Sequence, residues 1–302
     1  MWHGREPRGM CTVLALATLC ACGNRGQLVM DEGASADGNF NPDHVVQVAI
    51  TMADADWEVL RNETRTFLTE LGGDCMSGPF EHDYTTFSAD IDVDGQVLSN
   101  IGVRKKGFIG SQSTTKPGLK INLDEYVDGV ELFGTDNMTL NNAVQDPALI
   151  RQCLTYGVFA AAGVPSPRCN FARVSVNGAD LGIYAHVEPV KRSFLRDHFG
   201  SDDGDLYEGT LSDFQQDWYR TFDPKNSDTD ESLSGIVALM DTLDELWDSD
   251  ESVEDALEPH LDVDQYLSHM AMETIAGHWD GYSGSNHNNF YIYDDPATDT
   301  FV

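Results

Sequence analysis

Between Gly277 and Asp295 the chain reads GHWDGYSGSNHNNFYIYDD, which brings His278, Asp280, His287, Asn288 and Asn289 into one short segment. An amphipathic run precedes it and an aromatic, strand-like run follows. A carboxylate at the end of a packed helix, followed by Gly, Ser and Asn and then by a strand, suits phosphoryl transfer. Asp280 would accept the proton of an attacking hydroxyl, and the amide oxygen of Asn289 would help hold a divalent metal. Asp and Asn are also ordinary turn residues, so the loop alone equally reads as a connection. His278 and His287 beside Asp280 offer a second chemistry, metal-dependent hydrolysis. No third firm ligand is spaced on the same element, and the histidines read better as residues that shape the loop.

A second stretch, VRKKGFIGSQSTTKPGLKINL, gathers Lys105, Lys106, Lys116 and Lys120 around Gly107, Gly110, Ser111 and Ser113. Glycines let backbone N–H groups approach phosphate oxygens, hydroxyls add donors, and lysines supply charge. The clustering is informative because the chain holds 18 Lys and Arg against 51 Asp and Glu. A flexible Gly/Ser loop with solvated lysines is the plainer alternative. A third stretch, IYAHVEPVKRSFL, runs a strand into Glu188-Pro189 and on into a helix, a crossing where a kinase hinge would hold adenine.

The net charge of −33 excludes nucleic acid as a partner, since its phosphates require clustered cations on the protein. An acidic, soluble surface is the simplest reading of that charge. The first residues carry a basic start (Arg5, Arg8), an apolar run from Met10 to Ala21 too short to span a bilayer, and then Cys22. This predicts an export signal over 1–21. Leu19-Cys20-Ala21-Cys22 resembles a bacterial lipobox, with Cys22 as the lipidated residue and the membrane reached through that anchor alone; ordinary cleavage near Ala21 is the alternative. Residues 22–44 have the composition of a flexible acidic tether. Cys75, Cys153 and Cys169 then remain, so at most one intramolecular disulfide forms; Cys153 with Cys169 and a buried free thiol both stand open.

The elements that must position these groups begin at Val45. VVQVAITM reads as a strand and DADWEVLRNE as a short helix with an Asp as its cap. Asp94-Gly95 and Asn177-Gly178 each sit between alternating apolar runs, the mark of hairpins, and GLKINL adds a strand. Asp146-Pro147 opens a helix with Leu149, Ile150, Cys153, Leu154 and Val158 on one face. From Lys191 the chain is expected to be helical. Ile236, Leu239, Met240, Leu243 and Leu246 form one core stripe, and Val263, Tyr266, Leu267, Met270, Thr274 and Ile275 form another. The second of these helices delivers His278 to Asp280. FYIYDDPATDTFV starts a last hairpin that stops in mid-strand, which suggests a truncated product or fragment.

The order of these parts is that of a two-lobed kinase. The blocks VRKKGFIGSQSTTKPGLKINL, DPALIRQCLTYGVFAAAGVPSPRCNFARVSVNGADLGIYAHVEPVKRSFLRDHFGSDDGDLY and HWDGYSGSNHNNFYIY closely resemble the CotH kinase family, the spore-coat-protein-H-like atypical protein kinases. The resemblance covers about 45–302. It implies an α+β, bilobal, kinase-like fold, with a sheet-rich N-lobe over 45–188 and a helical, incomplete C-lobe over 189–302. It also implies an exported enzyme that uses ATP with Mg²⁺ or Mn²⁺ to phosphorylate Ser or Thr of a protein substrate, or itself. By residue, Asp280 looks like the catalytic base and Asn289 like a metal ligand. Lys116 and Lys120 look like the basic pair, with Lys106, Gly107, Gly110, Ser111 and Glu188 completing the nucleotide site. Three departures stand out. The family's R-G-N-S-S turn is here Lys106-Gly107-Phe108-Ile109-Gly110, a Lys common after Leu-Tyr is Glu208, and the acidic metal motif expected after the last hairpin would fall past Val302. A pseudokinase or binding module that keeps the fold without turnover is the runner-up.

Overall fold

The computed structural model describes residues 39–66, 78–79, 84–226, 233–246, 249–250 and 252–302. The expected signal at 1–21, the lipidation site Cys22, the tether as far as residue 38, and Cys75 lie outside the described residues.

Strand β1, Val45–Thr51, turns Val46, Val48 and Ile50 inward and leaves the intervening residues at the surface, as strict alternation requires. It is followed by helix α1, Asp54–Asn62, and by β2 (Thr86–Val93), β3 (Gln96–Lys106), β4 (Gly118–Asn122) and β5 (Asn137–Asn141). Helix α2, Arg151–Ala161, leads to β6 (Cys169–Val176) and β7 (Ala179–Val187). These strands close a barrel in the order β1-β2-β3-β4-β5-β7-β6. Neighbours pair antiparallel except at the seam, where β1 lies parallel to β6 from Val45 opposite Phe171 to Ile50 opposite Val176. Val48, Ile91, Val103, Leu119, Ile121, Met138, Leu140, Val174 and Tyr184 fill the interior. Each buried aliphatic side chain contributes about 1.5–3 kcal/mol.

Both expected hairpins form. Asp94 and Gly95 have φ of 51° and 88°, and Asn177 and Gly178 have 49° and 80°, the paired positive values that a two-residue turn of matching twist demands. Asn177 also locks the seam: its Oδ1 accepts from Met52 N at 2.9 Å and its Nδ2 donates to Asp54 Oδ1 at 2.8 Å. That contact displaces the expected cap of α1, whose N-cap position is Ala53 with no side-chain bond.

Helix α2 departs from expectation in start and facing. Leu149 takes φ 62° and ends the Asp146-Pro147 turn, while the Asp146 carboxylate accepts from Ala148 N (3.0 Å) and Arg151 N (2.7 Å), so the helix begins only at Arg151. Ile150, Leu154 and Val158, expected on one apolar face, are exposed. The helix is held instead by buried Phe159, which packs with Val164 and Met272, and by a Cys153–Cys169 disulfide to the start of β6, with Cα atoms 5.0 Å apart.

The later half is less helical than its sequence pattern indicated. Helix α3 (Arg192–Phe199) precedes β8 (Leu206–Gly209), a 3₁₀ turn over Gln216–Thr221, and β9 (Phe222–Pro224). Helices α4 (Ser234–Leu246), α5 (Val253–Leu257) and α6 (Val263–Ala276) follow, then β10 (Phe290–Asp295) and β11 (Thr300–Phe301). The strands form a second sheet in the order β11-β10-β8-β9. Ile236, Leu239 and Met240 of α4 pack on its Tyr207, Phe222, Phe290 and Ile292, so the first stripe is core. The second is not: Leu267 and Ile275 of α6 are 57% and 73% exposed, and the buried side chains are Met272 and Glu273. The fold class is thus α+β. Among the described residues no helix is long and apolar enough to cross a membrane.

Candidate active site

Helix α6 ends at Gly277, whose φ of 64° lets its N–H return to the carbonyls of Glu273 and Thr274. The chain then folds tightly over the Glu273 side chain. The carboxylate, 1% exposed, accepts from Tyr282 N (3.2 Å) and Ser283 N (2.7 Å) and lies 3.0 Å from His278 Nδ1. His269 Nε2 stands 3.5 Å away, at ion-pair distance without hydrogen-bond geometry. Burial pushes the Glu273 carboxyl up, but the nearby His269 ring and the hydrogen bonds from His278 and Ser283 outweigh it and hold the group well below the usual carboxylate range. Gly281 is required at this bend, because a Cβ there would overlap Glu273 Oε1 and His278 Nδ1.

Asp280 projects from this bend. Asn286 Nδ2 donates to its Oδ1 at 2.8 Å, and Asn289 Nδ2 donates to its Oδ2 at 3.0 Å and to its carbonyl at 2.9 Å. Asn289 takes φ 55° immediately before β10. The structure therefore brings the expected base and the expected metal ligand into contact and adds Asn286. It separates the two histidines from that pair, since His278 faces Glu273 and His287 Nδ1 lies 3.5 Å from Asp213. Among the described residues no group of three or more His, Cys, Asp or Glu is placed to hold a metal.

On β3 and β4, Arg104 stands opposite Lys120 and Lys106 opposite Gly118, so Arg104, Lys106 and Lys120 share the outer face of the barrel. Across from them on the second sheet is Glu208, paired in register with Tyr291 of β10 and Asp223 of β9. Lys225 Nζ lies 2.7 Å from Glu208 and 2.6 Å from Asp223. Burial, then the nearby charge of Lys120, lowers Lys106 to about 8, with Glu208 opposing and Arg104 adding to the drop. Burial, then Arg104, Lys191 and Lys225, lowers Lys120 to about 8, again against Glu208. Five cations thus converge in a chain that is elsewhere strongly acidic. Tyr291, the register partner of Glu208, lies two residues beyond Asn289, about 7 Å of strand. The cationic face and Asp280 are therefore neighbours through β10.

The other expected contacts are placed differently. Lys116 Nζ donates to Ile183 O at 2.7 Å and lies over the Tyr184 ring, so its charge is spent on β7. Gly107 and Gly110 have φ of 102° and 76°, and Ser111 Oγ donates to Phe108 O, which makes the loop a closed turn. Asn142 Nδ2 pins that turn through the carbonyls of Ser111 (2.7 Å) and Lys116 (2.8 Å). Glu188, 3% exposed, accepts from Arg168 N at 2.9 Å and from both Nε and an Nη of the same guanidinium, which also reaches Asp197. Its side chain is an internal anchor, and the backbone of the crossing is what remains for a ligand. Lys191, Lys225, Asn286 and Glu273 escaped the sequence reading; Lys191 sits at the N-cap position of α3, and Lys225 is delivered by the pairing of β8 with β9 rather than by proximity in sequence.

Comparison with known proteins bears on this arrangement directly. The family model described as CotH kinase protein matches residues 103–302, two thirds of the chain, and takes in Lys106, Lys120, Glu188, Asp280 and Asn289. The chain belongs to the CotH kinase family. Among CotH relatives, the inner spore coat protein H of Bacillus subtilis (strain 168) is 25% identical over 181 residues, covering 56% of this chain and 48% of its own length. Spore coat protein homolog 1 of Rhizopus delemar is 27% identical over 151 residues, covering 46% of this chain and 24% of its own. Invasin CotH2 of the same fungus is 24% identical over 200 residues, covering 56% and 34%. The chain spans about half or less of the length of these relatives.

Proposed function

We propose that this CotH family member is a protein kinase that moves the γ-phosphoryl group of ATP to a Ser or Thr hydroxyl of an exported or surface protein, or of itself. In this reading the barrel is the N-lobe and the α+β remainder the C-lobe of a two-lobed, kinase-like fold. One observation carries it: Asp280, fixed by two asparagines, stands at the foot of the strand whose Tyr291 pairs in register with Glu208, the carboxylate that Lys225 meets at 2.7 Å. Arg104, Lys106, Lys120, Lys191 and Lys225 supply charge for the phosphates. Asp280 accepts the hydroxyl proton as the acceptor oxygen bonds to the γ-phosphorus and the bond to the ADP oxygen breaks. Asn286 and Asn289 hold the carboxylate in one orientation throughout. The Asn289 Oδ1, free of the contacts to Asp280, would help to hold Mg²⁺ or Mn²⁺. Such an ion would neutralise charge on the transferring group.

Export is supported by the names of the relatives, spore coat protein and invasin, by the signal-like start of the sequence, and by the Cys153–Cys169 bond, which belongs to an oxidising compartment. The Leu19 to Cys22 spacing supports lipidation at Cys22, with membrane contact through that anchor alone. Glu208 favours a second reading, a binding module without turnover, because it sets a carboxylate among the cations that would meet phosphate. Asp280→Asn separates the two. In the full-length protein it should leave folding and ATP binding intact and lower transfer from labelled ATP to a Ser-containing substrate by about 10²-fold or more. Undiminished transfer would remove Asp280 from the mechanism; no transfer by the parent despite tight ATP binding would establish the binding module.

A further inference from the structure

We infer that Glu273 is the residue that positions the catalytic loop, acting on Asp280 through the backbone of residues 281–283; the inference rests on the reading of Asp280 as the base. A carboxylate in the last turn of a helix opposes the local dipole, and burying it adds a desolvation cost. Helix α6 nevertheless carries one at 1% exposure, where an apolar residue beside Met272 would pack without either cost. What the carboxylate gains is a set of donors that all belong to the loop after the helix: Tyr282 N, Ser283 N and the His278 ring. Asp280 lies between these donors in sequence. With His278 bonded on one side and Tyr282 and Ser283 on the other, the peptide that bears Asp280 is clamped from both ends.

Two further contacts show that the clamp is specific to this loop shape. Gly281 has no room for a Cβ because the Glu273 carboxylate occupies that space, and a Cβ at Gly284 would overlap the carbonyl of Trp279. The bend is thus built around the acid, with glycine wherever its backbone comes too close. The asparagines on the far side of Asp280 orient its oxygens but do not reach the 281–283 backbone. Glu273 touches no part of the cationic face, so its role is to hold geometry and not to contact phosphate.

The test compares the full-length parent with Glu273→Gln, which keeps shape and removes charge, and with the pair His278→Asn and His278→Leu. In Glu273→Gln, the amide hydrogens of Tyr282 and Ser283 should exchange about ten- to a hundredfold faster, the effect of losing charge-assisted bonds. The kcat for phosphate transfer should fall about ten- to a hundredfold while the KM for ATP stays within about twofold. The Asn variant, whose amide can donate from near the Nδ1 position, should restore most of the kcat lost in the Leu variant. Unchanged exchange at Tyr282 and Ser283 would overturn the clamp. Faster exchange with intact kcat, or a rise in KM alone, would overturn the positioning role. Should Glu273→Gln fail to fold, equal kcat in the two His278 variants decides against the proposal and rescue by Asn decides for it. A parent that transfers no phosphate, yet whose amides loosen on Glu273→Gln, would refute the kinase reading and uphold the clamp.

Discussion

On the kinase proposal, Lys106 and Lys120 should make ATP binding a proton-linked event, and its size follows from their environment. With each group lowered to about 8 from an ordinary 10.5, each is about half charged at pH 8 and about nine-tenths charged at pH 7. Phosphate beside them favours the ammonium form, so binding at pH 8 should draw in about one proton in total, and at pH 7 about 0.2. Titration calorimetry in buffers of different ionisation enthalpy reads this number as the slope of apparent enthalpy against buffer enthalpy. Lys120→Ala should remove about half of the uptake and weaken binding about tenfold or more, the loss of one charge-assisted contact. Affinity should fall as pH rises through 8. The unliganded protein should respond in the opposite sense: a lysine depressed in the folded state holds fewer protons than in the unfolded chain between pH 8 and 10.5, so its destabilising effect is complete below pH 8 and is relieved across that window. Zero proton uptake at pH 8, or equal uptake by parent and Lys120→Ala, would refute the assignment of this face to phosphate.

Two other perturbations probe the frame. Reduction of Cys153–Cys169, or replacement of both by Ser, should cost about 3 kcal/mol in urea unfolding, from closure of a loop with a sequence separation of 16; a loss under about 1 kcal/mol would mean that helix α2 is held without the bond. Glu188→Gln should destabilise by about 3 kcal/mol, since it leaves the Arg168 guanidinium short of its buried partner, while ATP affinity stays within about twofold. Full stability with a tenfold loss of affinity would instead make Glu188 a ligand contact.

The legible parts of this molecule were those with local signals. Asp94-Gly95 and Asn177-Gly178 announced their hairpins because only a few residue types tolerate two successive positive φ values. The proximity of Asp280 and Asn289 was readable for a similar reason, since a separation of nine residues with two glycines between leaves little else for such a loop to do. Strands β8 and β9 were not readable: four and three residues are too few to show alternation, and their place in the second sheet depends on β10, far along the chain. The exposed stripes of α2 and α6 show the opposite error, in which apolar spacing was right for a helix but did not reveal its docked side. Lys116 illustrates the limit for a site: the sequence supplied its charge, and only the fold shows that Ile183 O and the Tyr184 ring receive it.

The parallel seam between β1 and β6 has a consequence for where this protein can be cut. The family match begins at residue 103, within β3, and so excludes β1, β2 and most of β3. A fragment trimmed to that boundary would lose β1 and β2, leaving the remaining piece of β3 and β6 as open edges with unpaired backbone groups beside a row of apolar side chains meant for the barrel interior. Recognisable ancestry and hydrogen-bonded closure therefore have different borders here. Residues 45–102 are as much a part of the unit that folds as the segment carrying the family's motifs, and during synthesis β1 must wait more than a hundred residues for the strand that completes it.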